Sequence, residues 1–403
     1  MSMDVDVQTF LVSGQYDIAH PAYVEDPFPF WAEARGCPVH STVERGGSHL
    51  VIGYDAVMEA AHKIPVLSSS LGTALFPTLE DRSDPGYPRS IISSDEPEHT
   101  PIRRTMLPTF APNMVKEYEP ITRGLCERYL DEMGERTTVD AAVEYAQRIP
   151  ARVIGLILGV DESMTDAFVG WVRDILENVA NNPQRRLEAG TEMQAYFREQ
   201  IADRSRNPTD DLMTLLVNAK TDDGEPLAER DILGNLALLL IAGIDTTWSA
   251  IGSSLWHLAQ HPEQRAQLRT HPELWPQAVE ELLRAYAPVT MGRIALEGTE
   301  VAGCPIPAGR RVMLAFPAAN RDPSAFPNPD VVDFEREANR HVAFGVGIHR
   351  CAGSNIARME LRVALQTWMD RFPDFSLSPG SVTTWAGGQV RGPRSVPVEL
   401  HRG

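Results

Sequence analysis

The chain has 403 residues, enough to bury one large core or two medium ones, and carries 37 Lys and Arg against 55 Asp and Glu, a formal net charge of −18. So acidic a surface argues against nucleic-acid partners, whose binding draws on counterions released by basic groups. Hydrophobic and charged fractions of 43% and 23% exclude wholesale disorder. The longest apolar run, Leu236–Ile244, falls well short of the ~20 residues that cross a bilayer, so no membrane span is expected. The opening MSMDVDVQTF has no basic segment leading into an apolar stretch, and no secretory signal is expected. Cys37, Cys126, Cys304 and Cys351 lie far apart with no CxxC pair, which argues against a disulfide framework or a structural zinc site and suits a reducing cytoplasm.

In chain order, Leu50–Tyr54 reads as a strand leading into a helix over DAVMEAAHK. Pro65–Ser94, rich in Ser, Gly, Pro and Asp and without period, reads as a long loop of the kind that carries function. Helical spacing dominates from about residue 98 to 285. The longest helix is expected from about Glu229 to Leu258, apolar on nearly every face and therefore suited to the middle of a large protein. Past Pro288 the text turns to β-branched pieces and turns, then to one more helix from about Ala352 to Arg371, then to short strands. β-rich parts are expected near 40–54, 289–316 and 373–400. The predicted fold is mainly α with a minor β part (α+β), in a single domain.

The most informative stretch is HVAFGVGIHRCAGSNIARME, His341–Glu360. Gly345, Gly347 and Gly353 bracket Cys351, and a helix-forming run follows. Glycines permit tight turns in which several peptide N–H groups point at one sulfur, and a thiolate beside a helix N-terminus is poised to bind metal or attack. Phe344, Gly345, Gly347, His349, Cys351 and Gly353 fill every defining position of F-G-x-G-x-H-x-C-x-G. On these residues the sequence resembles the soluble bacterial members of the cytochrome P-450 family, a haem-thiolate monooxygenase fold with a long central helix over the haem and the cysteine loop beneath it. The resemblance implies haem b (iron protoporphyrin IX) with Cys351 as axial ligand of the iron, Phe344 packed beside the sulfur, and O2 as co-substrate.

A second motif lies in the long helix: Ala242-Gly243-Ile244-Asp245-Thr246-Thr247. A mid-helix threonine hydroxyl bonds back to the carbonyl four residues earlier, here that of Ala242, and the neighbouring glycine is expected to open the ladder locally. An acid in an apolar helix is costly to bury without a purpose. The resemblance implies that Thr246 hydrogen-bonds dioxygen, that Asp245 relays protons, and that Ala242 and Gly243 leave room over the haem. Glu281 and Arg284, three apart in VEELLRAY, would in isolation be an ordinary surface pair. In the family's E-x-x-R position, with Arg336 after Asp333 as third partner, they are expected to hold the fold together without entering the chemistry.

The family's propionate positions fall on His99 and Arg103, spaced i,i+4, and on Arg293 and His349. Its substrate positions fall on Leu75 within the Leu71–Phe76 loop, on Leu238, Ile241 and Ala242, on Val289 and Thr290, and on Gln389 and Val390, a mostly aliphatic set suited to a compact hydrophobic molecule. Met291 is given no propionate role. Arg350 and Arg358, with Arg104 and Arg340, are candidates for a basic docking patch. No flavin or iron–sulfur module is evident, so electrons, ultimately from NAD(P)H, are expected through a separate ferredoxin or flavodoxin to a monomeric cytoplasmic enzyme. Two alternatives are a peroxide-driven haem-thiolate peroxygenase and a non-catalytic haem-thiolate sensor. The Asp245–Thr246 pair favours O2 activation, because peroxide already brings its protons and electrons.

Overall fold

The computed structural model describes residues 20–42, 47–70, 88–177, 182–221 and 223–401. The helices of eight residues or more are α1 (Tyr54–His62), α2 (His99–Met106), α3 (Pro112–Glu132), α4 (Arg148–Leu158), α5 (Thr165–Glu177), α6 (Pro183–Arg206), α7 (Glu229–Gln260), α8 (Pro262–Thr270), α9 (Trp275–Ala285) and α10 (Ser354–Arg371). The strands are β1 (Val39–Thr42), β2 (Ser48–Val51), β3 (Leu67–Ser68), β4 (Thr138–Asp140), β5 (Thr290–Ala295), β6 (Thr299–Val301), β7 (Cys304–Ile306), β8 (Arg311–Ala315), β9 (Phe375–Leu377), β10 (Thr384–Ala386), β11 (Gly392–Ser395) and β12 (Pro397–Leu400). Helix dominates and the sheets are small, as the α+β reading expects. The described parts fall into two compact units, one from residues 1–83, 277–351 and 385–391, the other from 84–276, 352–384 and 392–403.

The first unit is organised by a five-stranded sheet in the order β1-β2-β8-β5-β3, with β2 and β8 parallel and the remaining pairs antiparallel. Side chains alternate across a strand, and both faces of β8 are covered. Val312 and Leu314 pack with Val51 against Val57, Ala60 and Ala61 of α1. Met313 and Ala315 pack with Leu50 and Ile52 against Phe30 and Trp31. Each large apolar side chain so withdrawn from water contributes ~1.5–3 kcal/mol. The strand expected over Leu50–Tyr54 ends at Val51, because Tyr54 already starts α1, where its N–H donates to Asp322 Oδ2 at 2.8 Å and satisfies one of the helix's orphan donors.

In the same unit a polar cluster is buried. Glu281, fully buried, accepts from Arg284 Nη2 and Nε at 2.7 and 2.8 Å, from Arg336 Nε at 3.0 Å, from Asn339 Nδ2 at 3.1 Å and from the Asp333 N–H at 2.9 Å. The outer edges of both guanidiniums donate to backbone carbonyls: Arg284 to Asn320, Pro329 and Val331, Arg336 to Pro327 and Val331. The expected trio thus forms one satisfied network.

The second unit is built around α7, which packs against α4, α5, α6 and α10. Among the described residues it alone is long and apolar enough to cross a membrane, yet 61% of its apolar window is buried inside the protein, the use expected of a core helix. Its coverage is uneven. From Ile244 to Ala259 nearly every residue is buried, whereas Leu238, Ile241, Ala242 and Thr246 are half-buried or exposed. The expected opening at Gly243 does not break the helix. A Cβ at Gly243 would lie 3.2 Å from Ile154 Cγ1, so the missing side chain lets α4 approach α7. Near the N-terminus of α7 a Cβ at Gly234 would collide with the backbone of Arg89, and the buried Asn235 accepts the Ile91 N–H at 3.0 Å. These contacts fix one end of the segment expected to be a loop from Pro65 to Ser94. That segment also contributes β3 and a 3₁₀ turn at Ile91–Ser93. Leu75, with the rest of Leu71–Phe76, lies outside the described residues.

Replacing Gly234 by Ala is therefore expected to lower stability by about 1–3 kcal/mol, since backbone, not a flexible side-chain end, must yield. Gly124→Ala on the exposed face of α3, with nothing within 4 Å, is expected to raise it by about 0.5–1 kcal/mol. Urea unfolding of the two variants checks the opposite signs.

Candidate functional site

In the first unit the cysteine loop is shaped by its glycines. Gly345 and Gly347 sit at φ +66° and +72°, in the left-handed region that favours glycine, and a Cβ on Gly347 would press to 3.2 Å from Ala61 O. A 3₁₀ turn covers Gly347–His349, and the Cys351 N–H donates to Phe344 O at 2.8 Å, closing the loop. The amides of Gly345 and Arg350 donate to Val342 O and Gly347 O. These three amides brace the loop against itself. The result leaves Cys351 exposed, Phe344 half-buried and His349 half-buried. α10 begins three residues on, at Ser354, with Gly353 as its N-cap.

The loop is tied to the buried carboxylate cluster. Arg284 Nη1 donates to Asn320 O at 2.9 Å, the side chain of Asn320 accepts the Val342 N–H at 2.7 Å, and Val342 O accepts from Gly345. Four hydrogen bonds and the short Val342–Phe344 segment therefore lead from Glu281 to Cys351. Also in this unit, Arg293 on β5 is 3% exposed and donates to Gly292 O. Of the residues expected to meet substrate, the four in this unit lie together: Thr290 N–H donates to Gln389 O at 2.9 Å and Val289 bridges Val390, while Gln389 Nε2 donates to Met291 Sδ at 3.4 Å.

In the second unit, Thr246 Oγ1 donates to Ala242 O at 2.6 Å, the back-bond its mid-helix position calls for. Asp245 is 1% exposed and pairs with Arg394 Nη2 of β11 at 2.7 Å. Burial raises its pKa above the usual aspartate value, the Arg394 charge opposing this and Glu177 adding to it. Arg394 had no sequence signal. It stands 149 positions beyond Asp245 in a turn-rich strand, and only the close packing of β11 on α7, where a Cβ at Gly392 would strike Ser249, brings the two together. His99, 1% exposed, and Arg103 share one side of α2. Burial lowers the His99 pKa and the Arg103 guanidinium lowers it further, with Glu96, 3.6 Å away, opposing. Leu238, Ile241 and Ala242 lie on the incompletely covered part of α7. Arg104, Arg340 and Arg350 are exposed and Arg358 is half-buried.

This donor set suits haem. An accessible thiol on a braced loop is a ligand for iron, and a buried imidazole strained by a neighbouring guanidinium, like the buried guanidinium of Arg293, is eased by carboxylates such as propionates. The Cytochrome P450 family model matches residues 162–383. The chain belongs to the cytochrome P450 family. It is 35% identical over 312 residues to Cytochrome P450 107B1 of Saccharopolyspora erythraea, covering 76% of each chain. It is 31% identical over 390 residues to the cytochrome P450 monooxygenase PikC of Streptomyces venezuelae, covering 94% of this chain and 92% of that one. The solved structure of the cytochrome P450 PksS of Bacillus subtilis superposes with a TM-score of 0.87 at 29% identity, over 96% of this chain and 100% of that one. The protein is accordingly an oxidoreductase, a haem monooxygenase that uses O2.

A further acid in α10 carries no motif. Glu360, fully buried, has its pKa pushed up to about 8 by burial, so it is neutral at pH 7. Between the unfolded value of 4.5 and about 8 the folded chain holds a proton that the unfolded chain has lost. Stability contributed by this group is therefore lost as pH rises through that window. Wild type is expected to lose a few kcal/mol relative to Glu360→Gln between about pH 4.5 and 8. Paired urea titrations across pH check this, and a pH-independent difference would contradict it.

Proposed function

We propose that this monooxygenase inserts one oxygen atom of O2 into a C–H bond of a small hydrophobic molecule, by hydroxylation or oxidative dealkylation. Electrons come from NAD(P)H through a separate ferredoxin or flavodoxin, and the enzyme works as a cytoplasmic monomer. The observation that carries the reading is Cys351, exposed at the end of a loop that three backbone hydrogen bonds and two left-handed glycines hold in one shape. Haem bound there supplies the activation of O2 that no side chain can perform.

The chain's own residues bind, orient and deliver. The Cys351 thiolate ligates the iron, with Phe344 and Gly345 shaping the approach to the sulfur and Gly353 ending the loop. Arg293 and His349 in one unit, and His99 and Arg103 in the other, are each assigned as charge-assisted donors to a propionate. The Thr246 hydroxyl, whose proton rests on Ala242 O, is placed to donate when a better acceptor arrives, and Asp245 is the acid that replenishes it. A carboxyl so deeply buried exchanges protons out of reach of bulk water. Leu238, Ile241 and Ala242 in one unit, and Val289, Thr290, Gln389 and Val390 in the other, are each assigned to substrate contact, a largely aliphatic set that favours recognition by shape more than by hydrogen bonding. Leu75 is assigned to the same set from sequence alone. The exposed Arg104, Arg340 and Arg350, with Arg358, suit an acidic electron carrier.

The reduced protein under carbon monoxide is expected to give a thiolate-ligated haem spectrum that Cys351→Ala abolishes; a variant retaining that spectrum would overturn the reading. Thr246→Ala is expected to keep the spectrum and to consume NADH while losing roughly tenfold or more of its product. Undiminished product per NADH would remove Thr246 from proton delivery.

A further inference from the structure

Asp245 does not have Arg394 to itself. The same guanidinium donates through Nε to Glu177 Oε1 at 2.6 Å, through Nη1 to Ser249 Oγ at 3.4 Å, and stacks over the Trp248 ring at 4.2 Å. Its side chain is only 10% exposed, against 27% for Glu177. Glu177 is the last residue of α5 and is also approached by Arg173 Nε at 3.7 Å. The charged groups facing Asp245 are thus Arg394 from β11 and, further out, Glu177 and Arg173 from α5, while α7 itself offers Ser249 and Trp248. One cation serves a buried carboxylate and a water-facing one at once.

We propose that Arg394 and Glu177 are positioning residues that together set the acid strength of Asp245, so that the seating of the α5 terminus governs how readily the buried carboxyl takes up and releases its proton. The inference rests on the reading of Asp245 as the proton-delivering acid. Two anions share one guanidinium, and each weakens the other's hold on it. When Glu177 is in place, Asp245 sees a partly neutralised partner and keeps its proton more readily. When Glu177 withdraws, the full guanidinium charge falls on Asp245 and favours carboxylate. Only Glu177 and Arg173 of this set belong to α5, so displacement of that helix end changes the acid without touching α7. Trp248 stacking and the Ser249 hydroxyl keep Arg394 over Asp245 while this happens.

The two halves of the device have opposite signs, which a passive strut does not share. Removing Arg394 leaves burial uncompensated and raises the Asp245 midpoint; removing Glu177 lowers it. The test is a pH titration of the carboxyl C=O stretch by difference infrared spectroscopy on the haem-loaded full chain, with Asp245→Asn identifying the band. Arg394→Gln is expected to move the midpoint up by about one pH unit or more, and Glu177→Gln to move it down. Arg394→Lys, which keeps the charge, is expected to stay near wild type. Shifts of the same direction in Arg394→Gln and Glu177→Gln, or no shift in Glu177→Gln, would overturn the proposal. Should Arg394→Gln fail to fold, the downward shift in Glu177→Gln alone decides. The underlying reading is tested apart: if Asp245→Asn still converts NADH to product as efficiently as wild type, Asp245 is not the acid even though its titration shifts as stated.

Discussion

An ionised carboxylate withdrawn from water must be matched by cations and hydrogen bonds, and Glu281 shows how much of one unit follows from meeting that demand. Two guanidiniums, an amide and a backbone N–H converge on its two oxygens. Because each guanidinium presents a fork of donors, satisfying one carboxylate leaves further N–H groups that must find carbonyls. They find them at Asn320, Pro327, Pro329 and Val331. A stretch with little regular secondary structure is thereby given one conformation. Asn320 passes the constraint to Val342, and Val342 to the loop that ends at Cys351. Cys351 stands on irregular backbone, and this network supplies the rigidity that helix or sheet would otherwise provide.

Asp245 meets the same demand with less. The cation paired with it, Arg394, is divided with Glu177, and burial has raised the Asp245 pKa. A fully matched carboxylate such as Glu281 serves as a strut, its two oxygens held by two guanidiniums, an amide and a backbone N–H. An incompletely matched one lies nearer to exchanging a proton, which suits a relay. The two buried acids therefore differ in the cations paired with them, Arg284 and Arg336 with Glu281 and Arg394 with Asp245.

Local sequence carried much of this. The Cys351 loop was legible because six fixed residues within ten specify turns, an exposed thiol and a following helix. The long helix was legible from apolar residues on nearly every face, and the Thr246 back-bond from spacing alone. At the loop, three amides are taken up by carbonyls of the loop itself, a use of the glycines that the pattern did not specify. Gly243 likewise lets α4 approach and does not open α7. What local pattern could not reach were partners distant in the chain. Arg394 meets Asp245 only because β11 packs onto α7, and Asn320 joins the cluster to the loop although nothing in its surroundings marks it. The raised pKa of Glu360 is also a property of packing, since the same letter on the outer face of α10 would be an ordinary carboxylate.

The central claim is that the charge cluster at Glu281 holds the cysteine loop in shape. Amide hydrogen exchange in Glu281→Gln, which keeps the side chain's form while removing its charge, tests it most directly. The account predicts that the Val342, Gly345 and Cys351 amides exchange roughly a hundredfold faster, matching the ~3 kcal/mol or more that an unpaired buried charge costs, while amides within α7 keep their protection. Unchanged exchange at those three amides would contradict it.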